Sequence, residues 1–178
     1  MDKKKLRKII LAELNELNSE VKKQNEEHLL CQLFQSDYFL KAKTIGLTLS
    51  QKIEIDTQPI IEKCHALGKK MVIPRTGPQG KMDFCLYDAA TSLETTPFGI
   101  LEPMSTSPSV DKRQIDLLIV PGVAFSMEGY RIGFGAGFYD RYLADYQGDT
   151  VSLALKLQIR NDWTPDSYDI PVKKVFTE

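Results

Sequence analysis

Residues 116–143 read DLLIVPGVAFSMEGYRIGFGAGFYDRYL, and the reading of this stretch decides the fold. From Ile115 to Val120 the chain is nearly continuously apolar, as expected of a strand buried on both faces in a parallel sheet. The strand ends in a loop with glycines at 129, 133, 135 and 137, and a short helix is expected from Phe138 to Tyr146. Glycine frees the backbone to take positive φ and lets a ligand approach the main chain. Inward-turned N–H groups and the start of a helix make a seat for an anion such as phosphate. The alternative is a tight structural corner.

Outward from this loop, strands and helices alternate. Leu6, Ile10, Leu14, Leu17 and Val21 recur at three- and four-residue spacing, which predicts one helix from Lys3 to Lys23. A second helix is expected over Glu26–Leu40. KTIGLTLS (43–50) predicts the first core strand. Asp56 or Thr57 can cap a helix with Pro59 in its first turn and Gly68 at its end. Strands are predicted at 71–74, 82–87 and 151–157, and residues 88–112, with Pro97, Pro103 and Pro108, are expected to form an irregular connection. This order predicts an α/β fold: a three-layer, open, mostly parallel sheet with helices on both faces. Ligands of such sheets gather beyond the carboxyl ends of the strands. Residues 1–178 are expected to form a single domain.

Composition narrows the classes. With 23 basic and 24 acidic residues the formal net charge is −1, unlike the basic footprint of a nucleic-acid binder. Cys31, Cys64 and Cys85 show neither metal-ligand spacing nor the even number of a disulfide framework, and read as reduced thiols. His28 and His65 read as solvent or packing residues. The charged start MDKKKLRK leads into an amphipathic pattern and not a signal-peptide core, and the apolar run Leu117–Val120 is far too short to span a bilayer. A cytoplasmic protein is expected.

The loop fits neither common phosphate fingerprint. A Walker A loop needs G-x-x-x-x-G-K-[ST], and a dinucleotide turn needs G-x-G-x-x-G after the first strand. Here the spacing is G-x-x-x-G-x-G-x-G, after a late strand. Arg131 reads either as a cation for phosphate oxygens or as a salt-bridge partner. Asp140 reads either as a Mg²⁺ ligand or as a carboxylate favoured at a helix start. Lys3 and Arg7 lie one turn apart and share a helix face; they form a polyphosphate clamp or a solvated basic terminus.

The stretch PGVAFSMEGYRIGFGAGFYDRYL resembles the signature of the 5-formyltetrahydrofolate cyclo-ligase (5,10-methenyltetrahydrofolate synthetase) family. Lys3 with Leu6-Arg7, the segment 52–57, Ile73-Pro74-Arg75, and Gln158, Pro165, Asp169 and Pro171 agree in order. The resemblance implies a fold like that of sugar-phosphate isomerases and CoA transferases. It also implies ATP-dependent cyclisation of 5-formyltetrahydrofolate to 5,10-methenyltetrahydrofolate, with release of ADP and phosphate and phosphorylation of the formyl oxygen on the way. Mg²⁺ is the implied cofactor, 5-formyltetrahydrofolate and ATP are the implied partners, and a monomer without nucleic-acid or membrane partners is expected.

By the same resemblance Lys3, Lys4, Arg7, Arg131, Ile132, Gly133, Phe134, Gly135, Ala136, Gly137, Phe138 and Tyr139 contact ATP. Asp140 and Asp169 hold the metal. Leu49, Glu54, Arg75 and Tyr139 address the folate, and Arg131, Tyr139 and Asp140 carry catalysis. A carboxylate such as Glu54 can accept hydrogen bonds from pterin donors, although a Glu after a strand is also a common loop charge. Several family members carry Arg or Lys where this chain has Phe134 and Ala136, so those side-chain cations are absent here. The competing readings are a non-catalytic folate- or nucleotide-binding module of the same fold, and a sugar-phosphate isomerase-like enzyme, which needs a carboxylate base placed for proton abstraction.

Overall fold

A computed structural model describes residues 1–178. Helix α1 runs over Lys3–Glu16, capped by the Asp2 carboxylate, which accepts from the Lys5 N–H at 3.1 Å. Its buried residues Leu6, Ile10 and Leu14 form the expected stripe. The helix does not continue to Lys23. Asn18 has an extended backbone and its side chain accepts from Glu20 N and Val21 N, starting a new helix, α2 (Ser19–Gln35). Val21 therefore leaves the stripe and is 45% exposed. A one-turn helix, α3 (Asp37–Lys41), follows.

Strand β1 (Thr44–Gly46) is shorter than the expected 43–50, and its ladder ends with Leu47 N donating to Val72 O. Helix α4 (Gln58–Ala66) starts at Thr57, whose own side chain makes no cap bond, while Asp56 accepts from Gln58 N at 3.0 Å. Next come β2 (Lys70–Thr76) and β3 (Met82–Tyr87). The proline-bearing connection is partly ordered as a hairpin of β4 (Leu93–Thr95) and β5 (Leu101–Pro103). Buried Glu102 ties it down by accepting from Thr76 N at 2.9 Å. Beyond it lie β6 (Leu117–Ile119), a small ribbon of β7 (Ala124–Phe125) and β8 (Arg131–Ile132), helix α5 (Phe138–Leu143), β9 (Asp149–Ala154) and β10 (Lys174–Thr177).

The main sheet has the order β10-β9-β6-β1-β2-β3. Every neighbouring pair is parallel except β2 and β3. Both faces are covered, as expected, but unequally. One core joins α1 to α4 with Ile45, Leu117, Ile119, Val151 and Leu153; the other joins α5 with Val72, Phe84, Leu118, Val120 and Ala154. The alternation of Leu117 and Ile119 against Leu118 and Val120 is the strand period of two, and it explains why β6 is apolar throughout. No helix is long and apolar enough to cross a membrane.

Candidate active site

Beyond the carboxyl ends of β1 and β6, an apolar cleft is lined by Thr48, Ile53, Glu54, Pro121, Gly122 and Phe134, among others. The loop that carries Glu54 is tied at both ends. Ser50 N donates to Thr57 Oγ1 at 3.1 Å, Thr57 N donates to Ser50 Oγ at 3.0 Å, and Lys22 of α2 donates to Glu54 O at 2.6 Å. The Glu54 carboxylate accepts from Gln51 N at 2.7 Å. Burial pushes its pKa above the ordinary 4.5, against the opposing pull of the Gln51 N–H and Lys22. Leu49 is half-buried beside Thr48 on the same segment.

The β7–β8 ribbon turns the glycine loop back over this edge. Gly129 takes φ 97° and its Cα approaches the tail so closely that a Cβ would stand 2.2 Å from Val172 O. Gly135 and Gly137 also have positive φ, at 114° and 71°, whereas Gly133 does not. The stretch Phe134–Gly137 is exposed, and Arg7 Nε of α1 donates to Gly133 O at 2.7 Å. Of the two basic residues expected to share a helix face, Arg7 is the one that meets this loop. Phe134 is 55% exposed and lines the cleft, so one residue belongs to both loop and cleft.

Arg131 lies on β8, with only 4% of its side chain exposed. Its guanidinium donates to Asp140 Oδ1 at 2.9 Å and to Ile170 O at 2.7 Å. Of its two readings, ion-pair partner and phosphate cation, the structure displays the first, in a buried form. Burial lowers its pKa, while Asp140, Tyr139 and Asp169 oppose that. Asp140, in the first turn of α5, also accepts from Ile170 N at 3.1 Å. Lys3 reaches the tail and not the loop: it pairs with Asp166 and Asp169 and lies over the Trp163 ring at 5.6 Å. Burial works to lower the Lys3 pKa, but the hydrogen bonds to both carboxylates leave it raised. Lys4 is exposed.

Two folate candidates sit elsewhere. The Arg75 guanidinium donates to Met104 O at 2.9 Å and Ser107 O at 2.6 Å, pinning the chain after the hairpin. Tyr139 packs edge-on against Phe84 with ring centroids 6.5 Å apart, and its hydroxyl is enclosed without a hydrogen-bond partner. Burial raises its phenol pKa well above the ordinary value. The aromatic that walls the cleft is Phe134, a role its sequence position did not suggest; the available signal was a large apolar side chain set in an otherwise glycine-rich loop.

For Mg²⁺ the donor set can be tested directly. No three His, Cys, Asp or Glu side chains cluster as a self-sufficient metal site. Asp140 uses Oδ1 for Arg131 and Ile170, and Asp169 uses Oδ2 for Lys3 and Asp166 N, which leaves one oxygen of each carboxylate without a protein partner. That set fits Mg²⁺, which binds through one or two carboxylates with the remaining positions filled by water and substrate phosphates.

A mostly parallel sheet with a glycine loop and a carboxylate-bearing cleft at its carboxyl edge defines an α/β protein with its ligand site at that edge. The model of the 5-formyltetrahydrofolate cyclo-ligase family matches residues 1–178. The chain is 34% identical over 142 residues to the 5-formyltetrahydrofolate cyclo-ligase of Escherichia coli K12, covering 76% of this chain and 78% of that protein. It is 27% identical over 190 residues to a probable 5-formyltetrahydrofolate cyclo-ligase of Caenorhabditis elegans, covering 99% and 92%. The solution structure of Aquifex aeolicus 5,10-methenyltetrahydrofolate synthetase superposes with a TM-score of 0.85 at 32% identity, covering 99% of this chain and 90% of that one. The chain belongs to the 5-formyltetrahydrofolate cyclo-ligase family, and is a ligase of folate chemistry.

Proposed function

We propose that this protein uses ATP to cyclise 5-formyltetrahydrofolate to 5,10-methenyltetrahydrofolate, releasing ADP and phosphate, with Mg²⁺ as cofactor. One observation carries the reading: Phe134 sits in the glycine loop and also walls the cleft that holds Glu54. A phosphate on the loop and a pterin in the cleft would thus share a border, as phosphoryl transfer between them requires.

The chemical difficulty is the formyl oxygen, a poor leaving group. Its lone pair attacks the γ-phosphorus, the bond to the ADP oxygen breaks, and an N5-iminium phosphate forms. N10 then attacks the formyl carbon and loses its proton, the carbon–oxygen bond breaks, and phosphate departs carrying the former formyl oxygen. In such a transfer positioning and charge neutralisation do most of the work.

The residues divide accordingly. Glu54 receives pterin donors, and Phe134 offers the ring a flat apolar face. The Gly133–Gly137 backbone receives phosphates, with Arg7 beside it. Arg131 holds Asp140 and the tail in place from beneath, so its contribution is to fix the loop. Asp140 and Asp169 would hold Mg²⁺, which when bound neutralises charge on the phosphates. Tyr139 anchors the start of α5 against β3.

With Mg-ATP and 5-formyltetrahydrofolate the protein should generate the near-ultraviolet absorbance of the methenyl product, and omission of ATP should abolish it. No absorbance change with a folate stock that another cyclo-ligase converts would refute the proposal.

A further inference from the structure

The chain has six arginines. Four have carboxylate partners: Arg75 with Asp83, Arg113 with Asp111, Arg131 with Asp140 and Arg160 with Asp162. The other two, Arg7 and Arg141, form no ion pair, and both lie against the glycine loop. Arg7 donates from Nε to Gly133 O, and Arg141 donates from Nη1 to Ala136 O, each at 2.7 Å. A Cβ on Gly135 would stand 3.9 Å from Arg7 Cζ, and one on Gly137 would stand 3.2 Å from Arg141 Nη1. The two guanidinium groups therefore flank the loop at its two ends.

Each guanidinium has five N–H donors and spends one on a loop carbonyl. Between them the loop offers only backbone groups and the side chains of Phe134 and Ala136. Two uncompensated cations beside exposed main chain repel one another, and no protein anion offsets them. Their complement is a polyanion that accepts from both, and planar forked donors suit phosphate oxygens.

A second loop keeps the place of Arg141. In the turn Pro78–Gly80, Gly80 has φ 73°, and a Cβ there would stand 2.4 Å from Arg141 Nη1. Only glycine leaves the guanidinium room to lie across this turn and reach Ala136.

We infer that Arg141 is a phosphate-binding residue of the ATP site, gripping the polyphosphate together with Arg7 from the opposite end of the glycine loop, with Gly80 keeping its seat open. This rests on the ATP-dependent reaction proposed above. A purely structural clasp would need the hydrogen bond to Ala136 but not the charge, and that difference is measurable.

The test is calorimetric titration of wild type, Arg141→Gln and Arg141→Lys with Mg-ATP, ADP and AMP, alongside 5-formyltetrahydrofolate. Arg141→Gln should weaken ATP binding about 10- to 100-fold, the range of one hydrogen bond to a charged group. AMP and folate affinities and the melting temperature should stay near wild type, and Arg141→Lys should recover most of the loss. Gly80→Ala, which leaves the charge in place and fills its seat, should also weaken ATP. Equal ATP affinity in wild type and Arg141→Gln, equal losses in the Gln and Lys variants, or equal losses for ATP and AMP would overturn the role of Arg141 alone. Wild-type protein that binds no ATP would overturn the nucleotide reading, and this inference with it.

Discussion

Asp140→Ala should destabilise the fold as well as slow turnover. The Arg131 side chain is 4% exposed and Asp140 is its ion-pair partner at 2.9 Å, itself 23% exposed. Two unit charges about 4 Å apart attract by about 4 kcal/mol at an effective dielectric constant of about 20. Removing one partner of a buried pair costs about 3–5 kcal/mol, because the remaining charge stays desolvated. The Ile170 N–H loses its acceptor at the same time. For a domain of this size each kcal/mol moves the melting temperature by about 2–4 °C, so the expected fall is of order 10 °C.

Urea unfolding of wild type, Asp140→Ala, Arg131→Met and the double variant would measure it. The double variant should cost clearly less than the sum of the two single changes, since no charge is left unpaired. Asp140→Ala within about 1 kcal/mol of wild type, the scale of an exposed salt bridge, would refute the reasoning. Asp140→Asn separates the two roles: it keeps an acceptor oxygen for Arg131 and the Ile170 N–H but not the charge, so its stability should fall between wild type and Asp140→Ala, while turnover should fall as far as in Asp140→Ala if the carboxylate also holds Mg²⁺.

Three further outcomes can be checked. Gly129→Ala places a Cβ 2.2 Å from Val172 O at φ 97° and should cost more than about 2 kcal/mol in urea unfolding; a loss typical of an exposed loop would contradict the close approach of ribbon and tail. Phe134→Ala should raise KM for 5-formyltetrahydrofolate far more than KM for ATP, and equal rises would remove Phe134 from the folate wall. Because burial holds the Glu54 carboxyl above its ordinary 4.5, its contribution to stability is full below 4.5 and is lost as pH rises through the folded value. Glu54→Gln should therefore gain stability relative to wild type on going from acid to neutral pH, and a difference that is flat or of opposite sign would show that the carboxyl is not desolvated.

Much of this was legible in the sequence because it depends on local pattern. The buried run at 115–120 gave a central strand, the strand expected at 82–87 is β3 at Met82–Tyr87, and the glycine spacing located the loop. What the sequence concealed depends on distant partners. Asn18 divides the first helical stretch because its side chain can cap α2, although the apolar spacing runs on to Val21. The edge strand β10 at Lys174–Thr177 is set by pairing with β9. Arg131 looks like a free loop cation until Asp140 and the Ile170 carbonyl close on it. Lys3 shares a helix face with Arg7, yet it reaches acids more than 160 positions away, at Asp166 and Asp169. Residues 88–112 looked irregular because a three-residue pairing such as Leu93–Thr95 with Leu101–Pro103 is too short to show an alternation.

The most direct measurement labels the formyl oxygen of 5-formyltetrahydrofolate with ¹⁸O and follows the label through one turnover with Mg-ATP. Transfer of the γ-phosphoryl group to that oxygen requires the ¹⁸O to leave in inorganic phosphate, one atom for each methenyltetrahydrofolate and each ADP formed. Methenyl product formed with unlabelled phosphate and ¹⁸O in water would contradict the mechanism, and no ADP formation would contradict the ATP-dependent activity itself.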